Sequence, residues 1–555
     1  MPPQANASPD ARHPEQQMIS RRTFLAASSA LLAAPAVLGP LSTAASATGS
    51  TLTLALSNTT GSDTVYAYVT GTALNSGNAL FLLQADGQTP YYPASPAADG
   101  TPLAVDCAIP LGASGSAPTS VTIPYLGGCR VWFSIGAPLQ FFLNPGPGLV
   151  EPSVTNPSDA NIDTVWDFCE LTFNGGVYAN ISMVDFACIP IALQLTGSAG
   201  TQTVAGLPAG GLDQICAGLT AQQAVDGAGW NQLIVTSGGA NLRALSPTNG
   251  IVYNPSLLSG YFDSYLNQVW QKYTTSTLSV DTQGSWGTVT GQVANGLLTF
   301  PGVGSFAQPS SADIFSCASG PFSVSTQEMS ALVPRISAAL NRTTLLTDAD
   351  QPDGENPADY YGNAQTNHYA RIVHSVALDH RGYAFPYDDV GPTGGADQSG
   401  FVSDGAPTLL TITVGAVHAT GSSPLKVTAS AYSATNSTGT EATSDTGGGD
   451  DVGWINSSSW LQYNDVDFAG GYSNLQLRLA SAVSGSDIGT VQFRLDSLTA
   501  SPFATVSVNG TGGWQSWTTS SAGCSPAPSG SHTLYVTFTE SVSGNFVNLN
   551  WFEFS

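Results

Sequence analysis

Short runs in which every second residue is apolar recur through most of this chain, and Gly, Pro or Asn breaks nearly every one. TLTLALSN, VTIPYLGGCRVWFSIG and VWDFCELTF are examples from about residues 50–215. A period of two is the period of a strand with one face in a core and the other toward water. Charged residues make up only 9% of the 555, while Gly (60) and Pro (35) are abundant. Such a chain builds short antiparallel strands and tight turns, as a barrel or a sandwich.

Helical spacing enters later. LSGYFDSYLNQVWQKY carries Phe262, Leu266, Val269 and Tyr273 near a 3.6 period. STQEMSALVPRISAALNRTTLL opens with Ser325 and Glu328 at the spacing of a capping box and contains Pro334, where a kink is expected. Strands are expected to return at NHYARIVHSVALDHRGYAFPYDDVG and to end near LLTITVGAV. After HATGSSPLK, a linker over 418–426, only alternating runs remain. Leu475, Leu477 and Leu479 face inward in one of them, and Leu534, Val536 and Phe538 in another. The reading is an α+β domain over 48–417 followed by an all-β sandwich over 427–555.

The N-terminus reads as an export signal over 1–47. SRRTFLAASSALLAAPAVLG pairs Arg21 and Arg22 with a short apolar stretch, and ASA at 45–47 offers a small-residue cleavage site. A twin-arginine route and an extracellular mature protein are expected, with no membrane attachment after cleavage. The seven cysteines of an exported chain should pair in part, leaving at least one thiol over. None has C-x-x-C spacing, so no zinc site is expected. A formal charge of −25 excludes a basic nucleic-acid footprint.

G-x-S-x-G, H-E-x-x-H, P-loop and G-x-G-x-x-G motifs are all missing from the sequence. Six histidines are scattered, and His374, in an apparent strand, reads as structural. The carboxylates are the better lead. Trp166, Phe168, Glu170 and Thr172 share one face of VWDFCELTF, and Asp185 shares a face with Ile181 and Met183 in ISMVDFAC. Paired as a hairpin, Glu170 and Asp185 would be about 4.5–5.5 Å apart at Cβ if directly opposite, or about 7–8 Å if diagonal. Two carboxylates at such spacings are what glycoside hydrolysis needs. In the direct register Cys169 and Cys188 would lie diagonally on the reverse face. Trp166 and Phe168 beside Glu170 would suit sugar stacking.

CELTFN…ISMVDFACIPI resembles the core signature of thaumatin-like proteins, and GCRVWFSIG is similar to their arginine segment. The dense disulfide framework of the plant members is missing. Over roughly 50–416 the closer resemblance is to glycoside hydrolase family 64, β-1,3-glucanases of thaumatin-like build. VWDFCELTFN, NISMVDF, CASGPF, AALNRTTLL, NHYARIVHSVALDHRGYAFPYDDVG and LLTITVG carry it in order. The resemblance implies a thaumatin-like β-barrel or sandwich plus a mixed α/β subdomain. It implies an inverting mechanism with Glu170 as general acid and Asp185 as general base. Arg130, Trp166, Thr172, Asp388 and Asp389 would bind substrate, with Arg130 nearer the base and Asp388 or Asp389 near the acid. No cofactor is implied. SDTGGGDDVGWINSSSWLQYNDVDF, TGGWQSW and NLNWFEF resemble carbohydrate-binding module family 6, a jelly-roll-like sandwich, over about 427–555. That family's ligand residues fall on Trp454, Trp514 and Asn548, with Trp460, Trp517 and Trp551 left as core. The glutamate that ligates calcium in many such modules falls on Ser430, with Glu441 nearby, so no metal is expected. The function expected is a secreted, monomeric β-1,3-glucan hydrolase with a glucan-binding module. The alternatives are a thaumatin-like protein that binds glucan without cutting it, and an extracellular adhesion protein.

Overall fold

The computed structural model describes residues 51–555 apart from 239, 419–424, 447, 469–471, 473 and 529, so the export signal and most of the linker lie outside the described residues. Two compact units form. One holds the chain to Leu207 with Gln214–Gly415, and the other holds Ala416–Ser555 with Pro208–Asp213.

The first unit is built on two sheets. Five strands lie in the order Gly200–Val204, Ile191–Gly197, Pro407–Gly415, Thr51–Thr59 and Thr119–Pro124. Only the pair Thr51–Thr59 and Pro407–Gly415 is parallel among them. The larger, eight-stranded sheet contains β1 (Leu126–Ile135), β3 (Val165–Phe173), β4 (Val177–Ile181) and β5 (Phe401–Asp404). Between β1 and β3 in sequence, β2 (Gly148–Val150) belongs to a separate three-stranded sheet. Alternate residues are buried on both large sheets, Leu52, Leu54 and Leu56 on one and Cys169, Leu171 and Phe173 on the other. That is the pattern of two sheets sharing one core.

Helices and small sheets fill the middle of the unit. Asp263–Lys272 is helical as its period predicts, with Leu266, Val269 and Trp270 buried. Helix α1 (Gln327–Arg342) runs through Pro334. Its N-cap is Thr326, whose hydroxyl accepts from the Met329 N–H, so the capping box expected from Ser325 does not form. His368–Val376 is helix α2 and not the expected strand. Its buried residues, His368, Tyr369, Ile372 and Val373, fit a helical stripe as well as an apolar run, and Asn367 caps it by accepting from the Ala370 N–H.

No disulfide links the described cysteines. Cys169 and Cys188 are not diagonal neighbours, since Cys169 lies opposite Ile181 and the Cys188 thiol donates to the Leu242 carbonyl at 3.1 Å. Among the described residues no helix is long and apolar enough to cross a membrane.

The second unit is a sandwich of a six-stranded and a five-stranded sheet. Leu475, Leu477, Leu479, Leu534, Val536 and Phe538 all enter its core, as their alternation predicts. Trp460, Trp517 and Trp551 do not; each is half-buried outside it. Trp551 lies on the outer face, under the Lys426 ammonium, 3.8 Å from the ring centroid.

Candidate active site

Three neighbouring strands put Arg130, Glu170 and Asn180 in one row. Glu170 on β3 is the cross-strand partner of Arg130 on β1 and of Asn180 on β4, and Asn180 faces Phe401 on β5. The next row holds Thr172, Tyr178 and Ser403. This face of the sheet passes from dry to wet along β3. Trp166 is 2% exposed and Phe168 is buried, Glu170 and Thr172 are half-buried, and Tyr178 is 48% exposed. The Tyr178 ring stacks on Phe401 with centroids 6.0 Å apart. An aromatic shelf therefore exists beside Glu170, on different residues from those expected.

Trp166 is not part of that shelf. Its ring packs edge-on to Phe186 and beside Trp132, its indole N–H donates to the Asn161 carbonyl, and the Arg243 guanidinium lies 5.7 Å from it. The sequence placed Trp166 on the correct face of β3 but could not show that distant residues close over it. Asp167, on the reverse face, accepts from the Phe168, Cys188 and Ile189 N–H groups, and burial pushes its carboxyl up to about 8.

Asp185 reaches the site by another route. Strand β4 ends at Ile181, so Asp185 is neither directly opposite Glu170 nor diagonal to it. It sits on the irregular segment 182–185, pinned at several points. The Met183 N–H donates to the Tyr383 carbonyl and the Tyr369 hydroxyl donates to the Met183 carbonyl. The Asp185 carbonyl accepts from the Ser246 N–H and the Asn249 amide.

Arg130 ties the carboxylates together. Its Nε donates to Glu170 Oε1 at 3.1 Å and its Nη1 to Glu151 Oε2 at 2.8 Å. The guanidinium carbon lies 4.5 Å from the Phe168 ring centroid. Burial works against the charge of Arg130, but Glu170, Glu151 and Asp185 outweigh it and hold the guanidinium protonated more firmly than usual. The expectation that Arg130 stands nearer Asp185 is corrected here, since its direct bond is to Glu170. The two face each other across β1 and β3, and an arginine stem reaches its direct cross-strand partner first.

The acidic pair beyond α2 divides. Asp388 is 0% exposed and touches no solvent. It accepts from Arg342 Nη2 at 3.0 Å, from His374 Nε2 at 2.9 Å and from the Ala384 N–H at 3.0 Å. This seals it in a structural network, so Asp388 does not line a substrate cleft, and His374 is its satisfied partner. Asp389 is exposed to solvent. Burial pushes its carboxyl up, while the Tyr383 hydroxyl, donating at 3.2 Å, opposes that. Tyr383 also feels the Glu170 charge. A cavity of about 230 Å³ elsewhere in the unit is lined by Tyr360, Tyr361, His374 and His380 among others, and by none of the predicted residues.

Sequence reasoning missed Glu151, Asn180, Tyr178, Tyr383 and Phe401. Asn180 and Tyr178 follow from the hairpin once its register is known. Glu151 and Tyr383 carry no such signal, because they arrive from separate parts of the chain.

The second unit gathers its own polar and aromatic cluster. Trp454 is 52% exposed and Trp514 37% exposed. Asn548 is buried between them, its Nδ2 donating to the Trp514 carbonyl at 3.1 Å and to Glu441 Oε1 at 2.9 Å. Its Oδ1 lies 3.1 Å from where a Cβ on Gly453 would stand. Trp454 sits at a bulge with φ 57°, which turns its ring across the neighbouring strand. A Cβ on Gly439 would meet that ring at 2.9 Å, so the glycine leaves it room. Gln515 donates to Asp451, and burial pushes Asp451 up to about 6. Glu441 and Gln515 complete the cluster beyond the three residues expected.

A sandwich with a charged and aromatic row on one sheet face, in the same chain as a second sandwich with exposed tryptophans, is the build of a modular carbohydrate-active enzyme. Residues 50–414 match the family described as β-1,3-glucanase, glycoside hydrolase family 64, and the chain belongs to that family. Residues 428–555 match carbohydrate-binding module family 6. The chain is 31% identical over 400 residues to a glucan endo-1,3-β-glucosidase of Cellulosimicrobium cellulans, covering 70% of this chain and 69% of that one. It is also similar to the crystal structure of a laminaripentaose-producing β-1,3-glucanase in complex with laminaritetraose. The TM-score is 0.59 and the identity 33%, over 66% of this chain and 99% of that one. A β-1,3-glucanase domain from Clostridium beijerinckii shares the fold, with a TM-score of 0.52 and 23% identity over 66% of this chain and 98% of that one.

Proposed function

We propose that the protein is a secreted endo-acting β-1,3-glucanase that inverts the anomeric centre, with Glu170 as general acid and Asp185 as general base. Glu170 gives its proton to the glycosidic oxygen as the bond from that oxygen to the anomeric carbon breaks. Water attacks that carbon from the opposite face and loses a proton to Asp185. Such a reaction needs carboxyls about 6.5–9.5 Å apart, with a water between them. Two carboxylates reached from different elements, one on β3 and one on a pinned segment, suit that spacing better than a tight cross-strand pair. The observation that carries the pairing is that Glu170 and Asp185 both act on one guanidinium, Arg130, while the acid and base roles follow the family resemblance. Thr172, Tyr178, Phe401 and Asp389 would line the glucan path.

The same reading takes the catalytic unit as thaumatin-like, export by the twin-arginine route, and action as a monomer. The solved relative makes laminaripentaose, so release of short oligosaccharides is expected here. Trp454 and Trp514 would cover the apolar faces of glucose rings, with Asn548 and Glu441 toward the hydroxyls. Holding an insoluble polymer beside the cleft raises its local concentration.

The test follows laminarin hydrolysis by NMR from the first turnover. Wild type should release the α-anomer first, and Glu170→Gln and Asp185→Asn should each lose nearly all activity. An initial β-anomer, or full activity in Glu170→Gln, would overturn the mechanism.

A further inference from the structure

The bond from Arg130 to Glu170 poses a problem for the proposed acid. A carboxyl that must hold a proton gains little from a permanent cation at 3.1 Å, which favours its ionised form. The structure supplies a second claimant to that cation. Glu151 follows β2, in a different sheet, and takes Arg130 Nη1 at 2.8 Å, closer than Glu170 takes Nε. All three side chains are only partly screened, with 16% of Arg130, 22% of Glu151 and 13% of Glu170 exposed. Their charges therefore act on one another appreciably.

We propose that Glu151 is a positioning residue of the hydrolytic site, engaging Arg130 so that the guanidinium orients Glu170 while sharing its charge with a second carboxylate. The inference rests on the acid assignment made above and deepens it. The charged and titratable groups around the Arg130–Glu170 pair are Glu151 after β2 and Asp185 after β4, which both act on Arg130, and Tyr383, which feels Glu170 and donates to Asp389. Glu151 sets a second carboxylate against the one Arg130 cation, so the guanidinium is shared and is not Glu170's alone. Glu151 touches no reacting atom in this scheme and acts only through Arg130.

The experiment compares kcat/KM on soluble laminarin against pH for wild type, Glu151→Gln, Glu151→Asp and Glu170→Gln, with Tm measured for each. The basic limb of kcat/KM reports the acid in the free enzyme. In Glu151→Gln that limb should move down by about one pH unit, the order of effect of one partly exposed charge nearby. The plateau on the acidic side should be retained. Glu151→Asp, which keeps the charge on a shorter stem, should move the limb less in the same direction, and it carries the test if Glu151→Gln does not fold. An unmoved limb, or a fall by one factor at every pH, overturns the proposal. Glu170→Gln separates the two claims. If it is inactive and the limb is unmoved, the Glu151 role fails alone; if it is active, the acid assignment itself fails.

Discussion

Asp388→Asn separates a structural carboxylate from a substrate-binding one. In the fold Asp388 is sealed from solvent and holds Arg342, itself fully buried, together with His374. Replacing it by asparagine keeps the volume and removes the charge. Arg342 retains the Asp388 and Val390 carbonyls and a distant Glu355 carboxylate at 3.8 Å. Removing one partner of a buried pair costs about 3–5 kcal/mol, because the other charge stays buried. At about 2.1 cal/mol/K of unfolding entropy per residue, a unit of this size should lose roughly 4–7 °C in Tm. The pair also sets a pH window. Burial would depress His374, but Asp388 outweighs it and raises its pKa, so this contribution is lost as pH rises through the folded value. Burial would raise Asp388, but His374 and Arg342 lower it, so that contribution is lost as pH falls through the folded value. Both are fully present between about pH 3.9 and 6.5. The difference in Tm between wild type and variant should therefore be largest near pH 5.5 and narrower at pH 9. Scanning calorimetry at the two pH values, beside kcat/KM on laminarin, makes the comparison. A Tm within about 1 °C of wild type with a collapsed kcat/KM would refute the structural assignment, since breaking a buried pair cannot be that cheap.

Two more outcomes are expected. Trp166→Ala should cost about 3–5 kcal/mol of stability as a buried aromatic, with KM for laminarin unchanged in the folded enzyme; a raised KM at unchanged Tm would return Trp166 to the substrate surface. Gly439→Ala should displace the Trp454 ring and reduce retention on curdlan several-fold while soluble laminarin is cut as before, and unchanged retention would refute the role given to that ring.

Alternation alone made both sandwiches legible, because a period of two survives whatever the strands pack against. It predicted the buried leucines of the second unit and the shared face of Glu170 and Thr172. It could not supply register. Whether Asp185 lies in a strand depends on where β4 stops, and contacts from Gly400 and Tyr383, more than 190 residues away in sequence, govern that region. The same limit explains Trp166, whose cover comes from Phe186 and Arg243, and Glu151, which meets Arg130 only through the fold. Over His368–Val376 short apolar spacing satisfied two periods at once, and the Asn367 cap was the signal that decided for a helix.

Glu170 and Asp185 are held by different means, and in mechanical terms the site has a fixed jaw and an adjustable one. Glu170 is clamped within the sheet between β1 and β4, so its position is as stiff as the sheet. Asp185 is set by where Tyr383, Tyr369, Ser246 and Asn249 anchor its segment. In the proposed mechanism the gap between Glu170 and Asp185 can thus be reset by substitutions that alter neither carboxylate. Those four anchors are where a change in the gap, and with it the room for a water, would enter without disturbing the sheet.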